Sequence, residues 1–183
     1  MKVICFGDSN TWGYNPSAKF GEPYERRWTD ILSDITGWTV INQGVNGREV
    51  PGESASVPQD ADLFLVMLGT NDLLQLDTPE ATTHRMSAFL SGCCPQKTVL
   101  ITPPPMKWGN WVQDQELIDD SIRLAQLYLS LGHTMNIRVL DTTDWSIPLA
   151  FDGVHFTEEG QTFFARKLAE ALLEESYDRL HFS

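Results

Sequence analysis

An apolar run, Val3-Ile4-Cys5-Phe6, passes without transition into the polar stretch Gly7-Asp8-Ser9-Asn10-Thr11-Trp12-Gly13. The run reads as a buried strand, and Gly-Asp-Ser as the turn that stops it. One small hydroxyl, Ser9, is thereby carried to the carboxyl end of a strand, where open α/β sheets keep their ligand crevice. The pattern recurs along the chain. Further strands are expected over 38–42, 63–68, 98–101 and 137–140, and helices over 24–36, 79–90, 113–131 and from Thr157 onward. Thr78 with Pro79 marks a helix start; Gly37 and Gly132 mark helix stops. The expected core stripes are Trp28, Ile31, Leu32 and Ile35, then Ile118, Ile122, Ala125 and Leu129, then Phe164, Leu168 and Leu172. Strands separated by helices imply crossover connections and a mostly parallel sheet covered on both faces. With 183 residues, no internal repeat and no linker, a single α/β domain over 1–183 is the expectation.

Composition narrows the partners. Apolar residues make up 42% and charged residues 21%, which is the balance of a globular chain and excludes wholesale disorder. The net charge is −12, with 25 acidic against 13 basic residues. With no basic stripe to override that field, nucleic acid and anionic membrane surfaces are not expected as partners. No stretch approaches the ~18 apolar residues of a transmembrane helix. Met1-Lys2 leads at once into a strand, without an apolar leader and cleavage site, so the expected compartment is the cytoplasm. Cys5, Cys93 and Cys94 are odd in number and irregular in spacing, which fits a reduced interior. Cys5 is expected in the core, and Cys93-Cys94 at a helix end packed on the sheet.

Polar clusters follow the apolar strands. They are Gly7-Asp8-Ser9, Gln43-Gly44-Val45-Asn46-Gly47, Gly69-Thr70-Asn71-Asp72, and Asp152-Gly153-Val154-His155 just before the last helix. In a parallel sheet the strand ends share one edge, so these clusters can meet in one crevice. Acyl transfer to a serine needs a base, a carboxylate to orient the base, and donors for the oxyanion. His84 sits within an expected helix, His133 after a helix stop and His181 in the tail. His155 alone lies in a Gly-containing loop with an acid, Asp152, three residues earlier, so the carboxylate can turn back and fix the imidazole tautomer. Asn71 and the backbone N–H groups of Ser9 and Gly44 are the natural oxyanion donors, and Gly44 lets the backbone approach substrate closely. Each block alone also fits a plain turn or a helix cap. Their order and their common place at strand ends point to a hydrolytic site. The connection from Gln43 to Asp60 is long and rich in Gly, Pro, Ser and Asn, and reads as functional.

In these blocks the chain resembles the SGNH (GDSL) hydrolase family, with Ser9, Gly44, Asn71 and His155 as the four letters. Asn10 stands where the family's usual Leu would be, at the pocket mouth. Ser9-Asn10-Thr11-Trp12-Gly13-Tyr14, Arg27-Trp28 and Asn46-Gly47-Arg48 look like the small bacterial arylesterase and acyltransferase branch. The resemblance implies a flavodoxin-like three-layer α/β/α sandwich and ester hydrolysis without metal or other cofactor. It implies Ser9 as nucleophile, His155 as base and then acid, Asp152 as its orienter, and Ser9, Gly44 and Asn71 as oxyanion hole. Asp8 and Asp72 would brace their loops, with Asn42 and Asn46 doing similar work beside Gly44. No Gly-x-Ser-x-Gly elbow surrounds any serine.

Trp12 and Arg48 are pocket candidates with Asn10. Arg48 can meet a polar or anionic part of a substrate, or pair with a surface acid. Met106, Trp108 and Trp111 can wall an acyl or alcohol pocket, or pack on helices or another subunit. A short acyl chain such as acetyl on a small-molecule ester is expected, and the Trp residues are compatible with homo-oligomers. Acyl transfer, lysophospholipase and thioesterase chemistry in the same site stay open. So do a carbohydrate- or ester-binding module with little catalysis, and a metal-dependent phosphohydrolase using Asp8, Asp72, Asp152 and His155.

Overall fold

Alternation of side chains along the central strands decides the architecture. The computed structural model describes residues 1–52 and 60–181. Five strands, β1 (Lys2–Gly7), β2 (Thr39–Gly44), β3 (Leu63–Met67), β4 (Thr98–Ile101) and β5 (Arg138–Leu140), form one sheet in the order β2-β1-β3-β4-β5. Every pairing is parallel, with Gly7 opposite both Gly44 and Met67. Successive side chains point to opposite faces. Val3, Cys5, Leu65, Met67, Val99 and Ile101 therefore enter one core, with Trp28, Leu32, Phe164 and Leu168. Ile4, Phe64, Val66 and Leu100 enter the other, with Leu73, Met86, Phe89, Leu124 and Tyr128. Helices α2 (Trp28–Thr36) and α6 (Glu158–His181) cover the first face. Helices α3 (Thr70–Leu74), α4 (Pro79–Leu90) and α5 (Gln115–Met135) cover the second. A single turn, α1 (Ser9–Trp12), sits at the end of β1. This is the α/β/α sandwich the strand–helix alternation implies.

The differences from expectation are local. The helix expected from residue 24 starts at Trp28, because Pro23 bridges Tyr14 and the Tyr24 N–H donates to Gly13 O at 2.8 Å. Ile35 at its end is exposed. Strand β2 runs on to Gly44, which places that glycine in the sheet and not in the turn beyond it. Helix α5 does not stop at Gly132. It continues to Met135 and is closed by Asn136 in the left-handed region, so His133 lies inside it. Gly132 is there for contact: a Cβ would stand 2.1 Å from Val139 Cγ2. The buried stripe of α5 runs through Ser121, Leu124, Ala125, Tyr128 and Gly132, and Leu129 is exposed. The short helices α1 and α3 fall within stretches read as turns. Thr78 caps α4, accepting from the Ala81 N–H. Cys5 and Cys93 are buried and Cys94 is exposed; all three are free thiols. Of the long connection after β2, residues 53–59 lie outside the described residues. No helix among the described residues is long and apolar enough to cross a membrane.

Candidate active site

Strand β1 delivers Asp8 and Ser9 to the carboxyl edge of the sheet. Asp8 caps α1, its Oδ1 accepting from the Asn10 N–H at 2.9 Å, and Gly13 closes the turn in the left-handed region. Ser9 is the first residue of that helix, so its own N–H has no intrahelical acceptor. Burial pushes the Asp8 carboxyl up to about 6; Asp72 adds to this, while the Asn10 N–H and His155 oppose it. From the next strand, β3, Asn71 arrives on α3. Its Nδ2 donates to Arg48 O at 3.0 Å, and its second N–H has no acceptor among the described residues. Asp72 beside it is fully buried, accepts the Val50 N–H, and pairs with Arg85, which also holds Asp77.

The loop between β5 and α6 supplies the remaining groups. Asp152 Oδ1 accepts the N–H groups of Val154 and His155, both at 2.9 Å. Its Oδ2 lies 2.7 Å from His155 Nδ1. A carboxylate only accepts, so Nδ1 carries the proton and Nε2 of the neutral ring is left as an acceptor. That Nε2 lies 2.9 Å from Ser9 Oγ. Burial acts to raise the Asp152 carboxyl, but the His155 ring and the two backbone N–H groups outweigh it and hold it below its ordinary value. The His155 ring meets two aromatic rings, Tyr14 at 4.5 Å and Trp111 edge-on at 5.1 Å between centroids. The Trp111 N–H donates to Asp152 O at 3.1 Å and the Asn110 N–H to Phe151 O at 2.9 Å, so that loop is laced to the acid–histidine loop.

Ser9, Asp152 and His155 thus come from two sheet-edge segments to one place, Ser9 and Asp152 through direct contacts with the His155 ring, and Asn71 stands just past the end of the neighbouring strand β3. Several expected pocket and oxyanion residues stand elsewhere. The Gly44 N–H donates to Asn42 Oδ1 at 2.8 Å, and Gly44 is pressed against α1, where a Cβ would lie 2.1 Å from Trp12 N. Gly44 is therefore a spacer between β2 and α1, and its N–H is already used. Gly47 differs: it has φ 73°, nothing near its would-be Cβ, and no acceptor for its N–H among the described residues. Asn42 braces α1 as well, donating to Thr11 O and Thr29 Oγ1. Asn10 is not at a pocket mouth. It is 4% exposed, and both ends of its amide bond backbone beside His155. The Arg48 guanidinium donates to Gly7 O and Gln43 O and lies 4.1 Å over the Phe6 ring; it pairs with no acid among the described residues. Burial lowers its pKa, with Asp8 opposing. Trp12 is half-buried at the end of α1.

Trp108 is 62% exposed, and Trp111 is the residue of that loop that reaches the histidine. Tyr14 is the residue the sequence reading missed. Its signal was available, since it lies just past the single turn that Ser9 opens. Asp8, Asp72, Asp152 and His155 do not converge as metal ligands. Among the described residues one group does bring three ligand atoms within 4.8 Å, Glu49, Asp72 and Asp77, and Arg85 already pairs with two of them.

Comparison with known proteins supplies the class. No curated protein sequence matches the chain. The native Mycobacterium smegmatis aryl esterase superposes with a TM-score of 0.74 at 26% identity, over 94% of this chain and 98% of that one. A structure described as a putative arylesterase from Agrobacterium tumefaciens gives 0.77 at 25% identity over the same shares. Est24, described as a carbohydrate acetylesterase from Sinorhizobium meliloti, shares the fold with a TM-score of 0.73 at 24% identity, over 94% of this chain and 98% of that one. The profile of the GDSL-like lipase/acylhydrolase family matches residues 5–163, from β1 through the serine, asparagine and acid–histidine segments into α6. The chain belongs to that family and is a carboxylic ester hydrolase.

Proposed function

We propose that this hydrolase is a serine esterase of short-chain acyl esters, working through an acyl-enzyme. The observation that carries the reading is the hydrogen-bonded line Ser9 Oγ, His155 Nε2, His155 Nδ1, Asp152 Oδ2, at 2.9 and 2.7 Å. Ser9 Oγ attacks the ester carbonyl while Nε2 takes its proton; the imidazolium then returns the proton to the departing alkoxide. Water, activated by the same Nε2, attacks the acyl-enzyme and regenerates Ser9. Asp152 holds the ring tautomer and stabilises the imidazolium. The Ser9 N–H, the free N–H of Asn71 Nδ2 and the Gly47 N–H receive the oxyanion, with Gly47 in the role the sequence had suggested for Gly44. Tyr14 and Trp111 crowd the His155 ring and favour a small acyl group.

The test is hydrolysis of p-nitrophenyl esters of two to eight carbons by the parent and Ser9→Ala, with EDTA present. Turnover that is fastest for acetate and vanishes in the variant, with its circular dichroism unchanged, supports the reading. Activity that survives in Ser9→Ala refutes the nucleophile. A rate rising steadily to eight carbons refutes the short-acyl preference.

A further inference from the structure

We infer that Asn10 is a positioning residue: its side-chain amide grips the backbone on both sides of His155 and so sets the path of the proton from Ser9, its neighbour in sequence. The inference rests on the serine–histidine reading above. Six backbone polar groups belong to Val154, His155 and Phe156, and each buried one needs a partner. Asp152 Oδ1 accepts the N–H groups of Val154 and His155. His155 O accepts from the Ala150 N–H at 2.7 Å, and Phe156 O from Tyr24 Oη at 3.1 Å. The two that remain are both taken by Asn10. Its Nδ2 donates to Val154 O at 3.1 Å, and its Oδ1 accepts the Phe156 N–H at 3.0 Å.

The residue is anchored at its other end. Asn10 O accepts Trp28 Nε1 at 3.0 Å, and the Trp28 N–H donates to Gln161 Oε1 at 2.9 Å within the core. One residue therefore ties the helix carrying the nucleophile to the loop carrying the base, across more than 140 residues of chain. A planar amide is required, because one donor and one acceptor must leave the same short side chain. Leu offers neither, and Asp lacks the donor. Without the amide, two buried backbone groups lose their partners and the His155 segment loses its two lateral restraints.

The test uses Asn10→Leu, Asn10→Ala and the size-matched Asn10→Asp, assayed well below their melting temperatures. A core truncation on the opposite face of the sheet, Leu100→Val, serves as a stability control. A misplacement of about 1 Å can cost on the order of 10²-fold in rate. We expect kcat for a short ester to fall about 10–100-fold in the Leu and Ala variants, with KM within about twofold, and Asn10→Asp to fall between them and the parent. Hydrogen exchange at the Phe156 amide should quicken in the same order, and the downfield proton resonance of the His155–Asp152 bond should broaden. Leu100→Val should lower the melting temperature without these changes. An unaltered Phe156 exchange rate overturns the grip. Faster exchange with parental kcat, or a kcat loss matched by Leu100→Val at equal destabilisation, reduces Asn10 to a structural residue and overturns the positioning role. A parent without Ser9-dependent turnover overturns the catalytic reading and the positioning role with it, while the exchange data still report the grip separately.

Discussion

Asp8 offers a measurable link between the site and the stability of the fold. It is buried, its side chain caps α1, and burial lifts its pKa to about 6. An unfolded aspartate titrates near ~3.9. Between those values the folded protein keeps a proton that the unfolded chain has lost. Stability therefore falls as pH rises through this window, and it is flat above the folded pKa. Two pH units at about 1.4 kcal/mol each make the expected loss about 3 kcal/mol. Asn at this position keeps the acceptor for the Asn10 N–H and removes the charge, so Asp8→Asn should escape the loss. The assay is urea unfolding of both proteins from pH 4 to pH 8. All other carboxylates are common to the pair, so the difference isolates Asp8. The variant should gain on the parent by about 2 kcal/mol between pH 4 and pH 7, then run parallel to it. A difference independent of pH, or one that shrinks as pH rises, would show that Asp8 is ionised at no cost in the fold and refute the reasoning.

Four further variants bear on the site. Asn71→Ala should lower kcat about 10²–10³-fold with KM little changed; a raised KM at parental kcat would assign Asn71 to ground-state binding. Asp152→Asn keeps the acceptor for Val154 and His155 but frees the ring to adopt the wrong tautomer, so kcat should drop by about 10⁴ in a steady-state assay, and near-parental activity would contradict the orienting role. Gly44→Ala should cost more than about 2 kcal/mol in urea unfolding, since its methyl meets the Trp12 backbone. Gly47→Ala, with open space but a left-handed φ, should cost about 1 kcal/mol; equal losses at the two positions would undo the distinction between them.

The candidate site was legible where its parts lie close in sequence or directly after a strand. Ser9 after Phe6-Gly7, Asn71 after Leu68-Gly69, and the Asp152–His155 spacing are local patterns, and a parallel sheet needs only strand order to gather them. Asn10 was misread for the opposite reason. A polar residue beside Ser9 suggests a pocket, and only the partners it meets more than 140 residues away show it to be internal. Gly44 and Gly47 are alike in sequence; β2 runs one register step past Gln43 to pair Gly44 with Gly7, which places it in the sheet under α1. Trp108 and Trp111 share a loop and a composition, and the backbone lacing of residues 107, 110 and 111 to 151–153 decides which ring turns to His155.

The amino-acid sequence by itself determined the layers and the chemistry. Apolar runs of strand length, interrupted by helices with period-3.6 faces, can bury their surfaces only as a sheet between helices. A serine, an amide and an acid–histidine pair at strand ends can converge on one edge. The tertiary structure decided the surroundings of these residues: which amide holds the backbone beside His155, which glycine N–H lacks an acceptor among the described residues and which tryptophan meets the ring. Those are contacts between segments distant in the chain, and local spacing carries no information about a hydrogen bond until the sheet has set both partners in register.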